Sequence, residues 1–313
     1  MFRTALTSSI ANNPTLLRYV ARILSKSKGF RITESQKAWT LFKANQGITI
    51  STSDLHYIKE IIENFDFLFD AVNGSSTFQK SCRVVDFSKP AFHKLTGWEN
   101  FEIHFPSFPE PVETTLQYIN ILNLTSGQTI FDLGAYAGVS SLQFSEVVGA
   151  AGRVISVEAD ATNIESIKIN FKSFYDETAI IPDLVEKAIW NENTIIKFSS
   201  EGNVGSSVAE ISGRSRSIRE VEAITLSSLA NLTDASQVDA IKADIEGAEC
   251  EVFQDAEFFA NFKPKIVFEA ILKGERKRRY TSAMRTLEGY GYACKVHKQF
   301  GSSQLLVSAK YSG

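Results

Sequence analysis

The chain has 313 residues, 43% hydrophobic and 22% charged, with a formal net charge of −3. That length holds one large domain with an extension, or two modest ones, and the apolar content suffices for a packed core. The mildly acidic balance gives no electrostatic footprint for nucleic acid, and no stretch reaches the roughly 18 continuous apolar residues of a membrane span. Three scattered cysteines, Cys82, Cys250 and Cys294, form no C-x-x-C pair. Their odd number argues against a disulfide framework and fits a reducing, cytoplasmic setting.

The first 33 residues carry no Asp or Glu but include Arg3, Arg18, Arg22, Lys26, Lys28 and Arg31. Leu16, Leu17, Val20, Ile23 and Leu24 recur at helical spacing, so a packed or interfacial amphipathic helix is favoured over a transit peptide. Residues 1–111 read as a mainly helical region with a connector. A second helix is expected over Asp54 to Phe65, with Ser53 or Asp54 as its cap. Around Phe105-Pro106-Ser107-Phe108-Pro109-Glu110-Pro111 the prolines forbid helix, so this stretch reads as the connector. The N-terminal region is expected to cover an acceptor pocket, because the following core has no evident lid of its own.

From Thr129 the pattern changes to alternating strands and helices, as in a doubly wound sheet. Strands are expected over 128–133, 153–158, 183–189, 238–244 and 265–270. Helices are expected over 138–148, 162–173, 247–260 and 275–289. Tyr292 to Lys298 and Gln304 to Ala309 read as a closing hairpin. Residues 191–229 interrupt the alternation with Ile195-Ile196-Lys197-Phe198, Gly202 to Ser207, a serine-arginine run holding Arg214, Arg216 and Arg219, and Ala223-Ile224-Thr225-Leu226. The run reads as a solvated loop in preference to an anion site.

The chemistry collects at the strand ends. Thr129-Ile130-Phe131-Asp132-Leu133-Gly134-Ala135-Tyr136-Ala137-Gly138 is a strand that breaks at glycines, and Val154-Ile155-Ser156-Val157-Glu158 is a second strand ending on a carboxylate. This is a nucleotide-binding βαβ unit, in which the acid meets ribose hydroxyls. A dinucleotide fingerprint would read G-x-G-x-x-G, whereas here Asp132 precedes Gly134 and the next glycine is Gly138. A pyrophosphate disfavours a carboxylate on the strand, while the ammonium and sulfonium of S-adenosylmethionine favour one. The spacing therefore favours S-adenosylmethionine over NAD. Asp132, Gly134, Ala135, Tyr136, Gly138, Glu158, Ala159 and Ala188 are the candidate cofactor-binding residues, with Gly134 against the methionine part and Asp132 near its ammonium.

The fourth strand runs into Lys242-Ala243-Asp244-Ile245-Glu246-Gly247-Ala248-Glu249. A period-2 reading puts Lys242, Asp244 and Glu246 on one face, where a lysine among acids is costly unless paired or working. Asp244, Glu246 and Glu269, with Lys242 in support, are the candidate catalytic residues. No histidine lies in this block. His56, His93, His104 and His297 read as exposed or core residues, and no metal is expected.

At these residues the chain resembles the FkbM family of S-adenosylmethionine-dependent methyltransferases. The resemblance rests on Phe131 to Ala135, Val157-Glu158-Ala159-Asp160, Asn170, Gly205-Ser206-Ser207, Ile241 to Glu249 and Phe268-Glu269, and covers about residues 112–310. Two departures stand out: Glu158 is followed by Ala159 in place of the family's usual proline, and Leu226 by Ser227 in place of its frequent aspartate. The resemblance implies a Rossmann-like class I methyltransferase fold over residues 112–313, a mostly parallel sheet with an antiparallel C-terminal strand pair. It also implies O-methylation of a small-molecule, sugar or glycan hydroxyl. The competing readings are an NAD-dependent oxidoreductase and a non-catalytic module that keeps the fold to bind a partner.

Overall fold

The computed structural model describes residues 13–73, 77–79, 82–199, 207–208, 218–270, 277–300 and 305–313. They form two compact units with the sequence boundary between Val112 and Glu113. The Gly202–Ser206 motif, Arg3, Arg214, Arg216 and Gln304 lie outside the described residues.

The N-terminal unit begins with α1 (Pro14–Ser27), capped by the Asn13 side chain and started by a proline where a missing N–H costs nothing. It continues through β1 (Arg31–Glu34), β2 (Ala38–Lys43), β3 (Gln46–Ser51), a 3₁₀ turn (Thr52–Tyr57), α2 (Ile58–Glu63) and α3 (Phe65–Asp70). Then come β4 (Val72–Asn73), β5 (Thr77–Gln79), β6 (Cys82–Asp86), β7 (Ala91–Leu95) and β8 (Trp98–Phe105). The strands form two sheets, β1-β2-β3-β6-β5 and β4-β7-β8. This overturns the expected mainly helical region. In β2 and β3 apolar–polar alternation spans only Trp39-Thr40-Leu41 and Ile48-Thr49-Ile50, too short a run to stand out, and Thr40 and Thr49 are buried with their hydroxyls bonded to each other at 2.9 Å. Their turn, Ala44-Asn45, also lacks the Asn-Gly signal, and Ala44 takes the left-handed conformation itself. The expected helix over 54–65 is a 3₁₀ turn followed by α2, which ends at Glu63. Residues 106–111 hold no helix or strand.

The C-terminal unit carries α4 (Val112–Leu122), β9 (Thr129–Leu133), α5 (Val139–Val148), β10 (Arg153–Val157), α6 (Ala161–Thr178) and β11 (Asp183–Val185). A side sheet follows, built from β12 (Ala188–Ile189), β13 (Thr194–Ser199), β14 (Ser207–Val208) and β15 (Ile218–Ile224). The main alternation resumes with α7 (Leu226–Leu232), β16 (Ala240–Ala243), α8 (Glu249–Val252), α9 (Ala256–Asn261), β17 (Lys265–Ala270), α10 (Lys277–Gly289), β18 (Tyr292–Lys298) and β19 (Leu305–Tyr311). The main sheet has the order β11-β10-β9-β16-β17-β19-β18. Its first five strands are parallel, and β19 runs antiparallel to both β17 and β18.

Both faces of this sheet are buried. Phe131, Ile155, Ile241 and Ile266 pack with Phe253 and Phe258 on one side, while Ile130, Val154, Ala240 and Val267 pack with Tyr118, Leu122 and Phe144 on the other. Near-continuous apolar strands follow from that double burial. Two expected elements are divided. The strand read over 183–189 breaks between Val185 and Ala188, which belong to different sheets, and the helix read over 247–260 splits into α8 and α9.

Candidate active site at the strand ends

The parallel strands β9, β10, β16 and β17 all end at one edge, where an open α/β sheet binds its ligands. The turn from β9 into α5, residues 134–138, is held by backbone and side chains together. Gly134 and Ala135 N–H groups both donate to the Val157 carbonyl, at 2.9 and 3.1 Å, and Gly138 N–H donates to the Ala135 carbonyl at 2.7 Å. Three side chains complete the set. Tyr136 N–H donates to Glu158 Oε2 at 2.9 Å, Asn170 Nδ2 donates to the Ala137 carbonyl at 2.8 Å, and Lys242 Nζ donates to the Gly134 carbonyl at 2.8 Å.

Gly134 has φ +77°, and a Cβ there would lie 2.1 Å from the Asp244 carbonyl oxygen. The backbone leaving β16 therefore requires this glycine, a constraint separate from the expected clearance for cofactor. Gly138, at φ +84°, is likewise required by Phe171, whose ring would sit 2.7 Å from a Cβ. Tyr136 has φ +53° without being glycine, a conformation that costs about 1 kcal/mol or more and persists only where the surroundings enforce it.

Glu158 follows β10 and is buried. Its Oε1 accepts from Ala159 and Asp160 N–H groups, each at 2.8 Å, and its Oε2 accepts from Tyr136 N–H. Burial, with the nearby Asp160 carboxylate adding to it, raises its pKa from 4.5 to about 7, although the three amide bonds pull the other way. Asp160 caps α6 through Thr162 and Asn163 N–H. Ala188 is buried at the start of β12, in the side sheet.

Lys242 and Asp132 are register partners on adjacent strands, both on the face that α5 covers. Their charges meet at 3.0 Å with side chains 1% and 0% exposed. Asp132 Oδ2 also accepts from Ser140 and Ser141 hydroxyls, each at 2.6 Å, and Ser156 Oγ reaches Ser141 Oγ at 2.7 Å. Lys242 thus has Asp132 as a buried charge partner, and Asp132 is engaged within the protein by Lys242 and both serines. β16 ends at Ala243, so the alternation that would carry Asp244 and Glu246 on the Lys242 face does not continue. Beyond it Asp244 N–H still donates to the Leu133 carbonyl at 3.0 Å, Glu246 turns to φ +58°, and Gly247 to φ +102°.

Of the candidate acids, Asp244 is half-buried, while Glu246 and Glu269 are buried. Glu269 Oε1 accepts from Tyr118 Oη at 2.9 Å and from Gln299 Nε2. Gln117 fastens the same neighbourhood, donating to the Lys298 carbonyl at 2.7 Å and accepting from Phe300 N–H at 2.9 Å. Tyr118, Gln299, Ser140 and Ser141 carry no sequence signal of these roles, since each depends on pairing across the fold. Among the described residues no group of three or more His, Cys, Asp or Glu side chains forms a metal-ligand set. His93 lies in the N-terminal unit between Phe87 and Phe105, and His297 bonds Ser308 in the terminal hairpin.

Such a sheet order, with a glycine-bounded turn after the first central strand and a carboxylate after the next, defines a Rossmann-like fold of the class I methyltransferase type. Residues 132–294, just over half of the chain, match the model for the methyltransferase FkbM domain, and the chain belongs to that family. Solved structures similar to it include a methyltransferase FkbM from Methylobacillus flagellatus KT, 17% identical, covering 63% of this chain and 47% of that one with a TM-score of 0.46. A precorrin-6y C5,15-methyltransferase from Geobacter metallireducens GS-15 is 18% identical and covers 65% of this chain and 90% of its own, with a TM-score of 0.41. The O-methyltransferase TomG from Streptomyces achromogenes, in complex with SAM, is 9% identical over 66% of this chain and 82% of its own, with a TM-score of 0.42. No curated protein matches the sequence. No helix of the described residues is long and apolar enough to cross a membrane.

Proposed function

We propose that the C-terminal unit binds S-adenosylmethionine at the ends of β9 and β10 and transfers its methyl group to an acceptor hydroxyl. The carrying observation is the pairing of the hydrogen-bonded 134–138 turn with the Glu158 carboxylate beside it. Ribose hydroxyls are the natural donors to that carboxylate, and membership of a methyltransferase family supports the reaction type. S-adenosylmethionine brings a sulfonium-bound methyl, which leaves by in-line displacement, so the protein's work is alignment, exclusion of water and removal of one proton. Asp244 is the leading base at the emerging methyl. Glu269, aimed by Tyr118 and Gln299, and Glu246 stand behind it. Because an aliphatic hydroxyl is far too weak an acid to ionise first, its proton must leave as the new C–O bond forms.

The acceptor class in this reading is a small hydroxylated molecule, sugar or glycan. Asp132 no longer separates this reading from an NAD-dependent one, since Lys242 neutralises it. The glycine spacing and the antiparallel β18–β19 pair still favour methyl transfer. The test is thermal shift with S-adenosylhomocysteine against NAD, followed by a radiolabelled methyl screen over sugars and small alcohols. Stabilisation by NAD alone would overturn the proposal.

A further inference from the structure

Besides the Val157 and Ala135 carbonyls, side chains from three separate places in the fold bond the backbone of the 134–138 turn. Glu158 reaches it from the end of β10, Asn170 from α6 and Lys242 from β16. Of these, Lys242 alone brings a full charge to a backbone carbonyl, and its ammonium is held by Asp132, itself fixed by Ser140 and Ser141. A buried ion pair is a poor source of net stability, because desolvating two charges offsets most of their attraction. A pair with both side chains at most 1% exposed therefore asks for another reason to exist.

We infer that Lys242 is a positioning residue: pinned by Asp132, it fixes the Gly134 carbonyl and so sets the cofactor-binding turn before any cofactor arrives. This rests on the reading that the turn binds S-adenosylmethionine. The turn enters α5 through two left-handed residues, Tyr136 and Gly138, so without fixed ends its peptide planes have alternatives to relax into. Lys242 Nζ removes that freedom at the N-terminal end, and Asn170 removes it at Ala137. Ordering a loop in advance lowers the entropy that binding must otherwise supply.

The test separates positioning from mere packing. Replacing both charges, Asp132→Asn with Lys242→Met, takes out the ion pair and the Gly134 bond together without stranding one buried charge. Calorimetry with S-adenosylhomocysteine should show affinity at least tenfold weaker, with the melting temperature close to wild type. Turnover at saturating cofactor should be largely kept, so that the loss appears in KM for cofactor and not in kcat. A double variant that binds cofactor as tightly as wild type would overturn the inference. Should the variant fail to fold, wild-type hydrogen exchange decides. The amides of Ala135, Tyr136 and Gly138 should already be protected without cofactor, and protection that appears only on adding S-adenosylhomocysteine would refute pre-organisation. Wild type that binds no S-adenosylhomocysteine at all would refute the cofactor reading instead, a distinct result.

Discussion

The Glu158 carboxyl gives the most quantitative prediction. Its pKa rises from 4.5 to about 7 because burial disfavours the anion, a difference of about 3 kcal/mol at 1.36 kcal/mol per pH unit. The sign follows from proton counting. Between pH 4.5 and 7 the folded chain holds a proton that the unfolded chain has released, so Glu158 contributes stability at low pH that is lost as pH rises through about 7. Cofactor binding runs the opposite way. Ribose hydroxyls donate best to the anion, so S-adenosylhomocysteine should bind more tightly as pH rises, by up to about tenfold per pH unit below 7. Binding near pH 6.5 should release a proton. Calorimetry in buffers of different ionisation enthalpy counts it directly. In Glu158→Gln the release should vanish, and affinity should fall by about 30- to 1000-fold, corresponding to about 2–4 kcal/mol of charge-assisted hydrogen bonding. An affinity that is flat between pH 6 and 8, in both wild type and variant, would refute the assignment of Glu158 to the ribose.

Gly134→Ala is expected to lower the melting temperature as well as cofactor affinity, since its Cβ meets the Asp244 carbonyl at 2.1 Å; a variant with native stability and lost binding would point to clearance for cofactor alone. Asp244→Asn should cut turnover by about 10²- to 10⁴-fold while calorimetry finds cofactor affinity little changed. Tyr118→Phe removes one donor to Glu269, and a shift in the pH profile of kcat is the expected readout if that acid meets the acceptor. In the N-terminal unit, burial lowers the His93 pKa from 6.5 to about 4. The folded state then resists the proton that the unfolded chain accepts, so stability falls as pH drops from 6.5 towards 4, by up to about 3 kcal/mol. His93→Phe should flatten that limb of the denaturation curve.

The sheet was legible because double burial leaves apolar runs that strands of any order must show, and because punctuation by Gly134, Gly138 and Gly149 marks where they turn. The position of Glu158 was legible for a local reason: it follows directly on an apolar strand. Lys242 was not, because its partner is set by register with β9 and by where β16 stops, and neither is written in residues 238–249. The N-terminal strands were missed because their signal is short. Trp39-Thr40-Leu41 and Ile48-Thr49-Ile50 alternate over only three residues each, next to the helical spacing of Leu16, Leu17, Val20, Ile23 and Leu24. The departure at Ser227 has a plain account in the fold. Its N–H and hydroxyl both donate to Asp255, each at 2.7 Å, and an aspartate in its place would set two carboxylates against each other.

The acids at this sheet edge are handled by unlike partners, and the difference bears on the field that a cationic cofactor would meet. Asp132 is met by an ammonium, which cancels its charge at range, so it adds little to the potential outside its own pocket. Glu158 and Glu269 are met in the hydrogen bonds above by neutral donors, backbone amides for one and a phenol and a carboxamide for the other. Neutral donors stabilise a carboxylate without removing its charge, whereas the ammonium beside Asp132 does cancel it. A sulfonium approaching that edge would lower the cost of ionising Glu158, and the cation and the anion would then stabilise each other. S-adenosylhomocysteine has lost that charge with its methyl group. Its weaker hold on an ionised Glu158 would favour release of product over release of substrate, and the difference should shrink in Glu158→Gln.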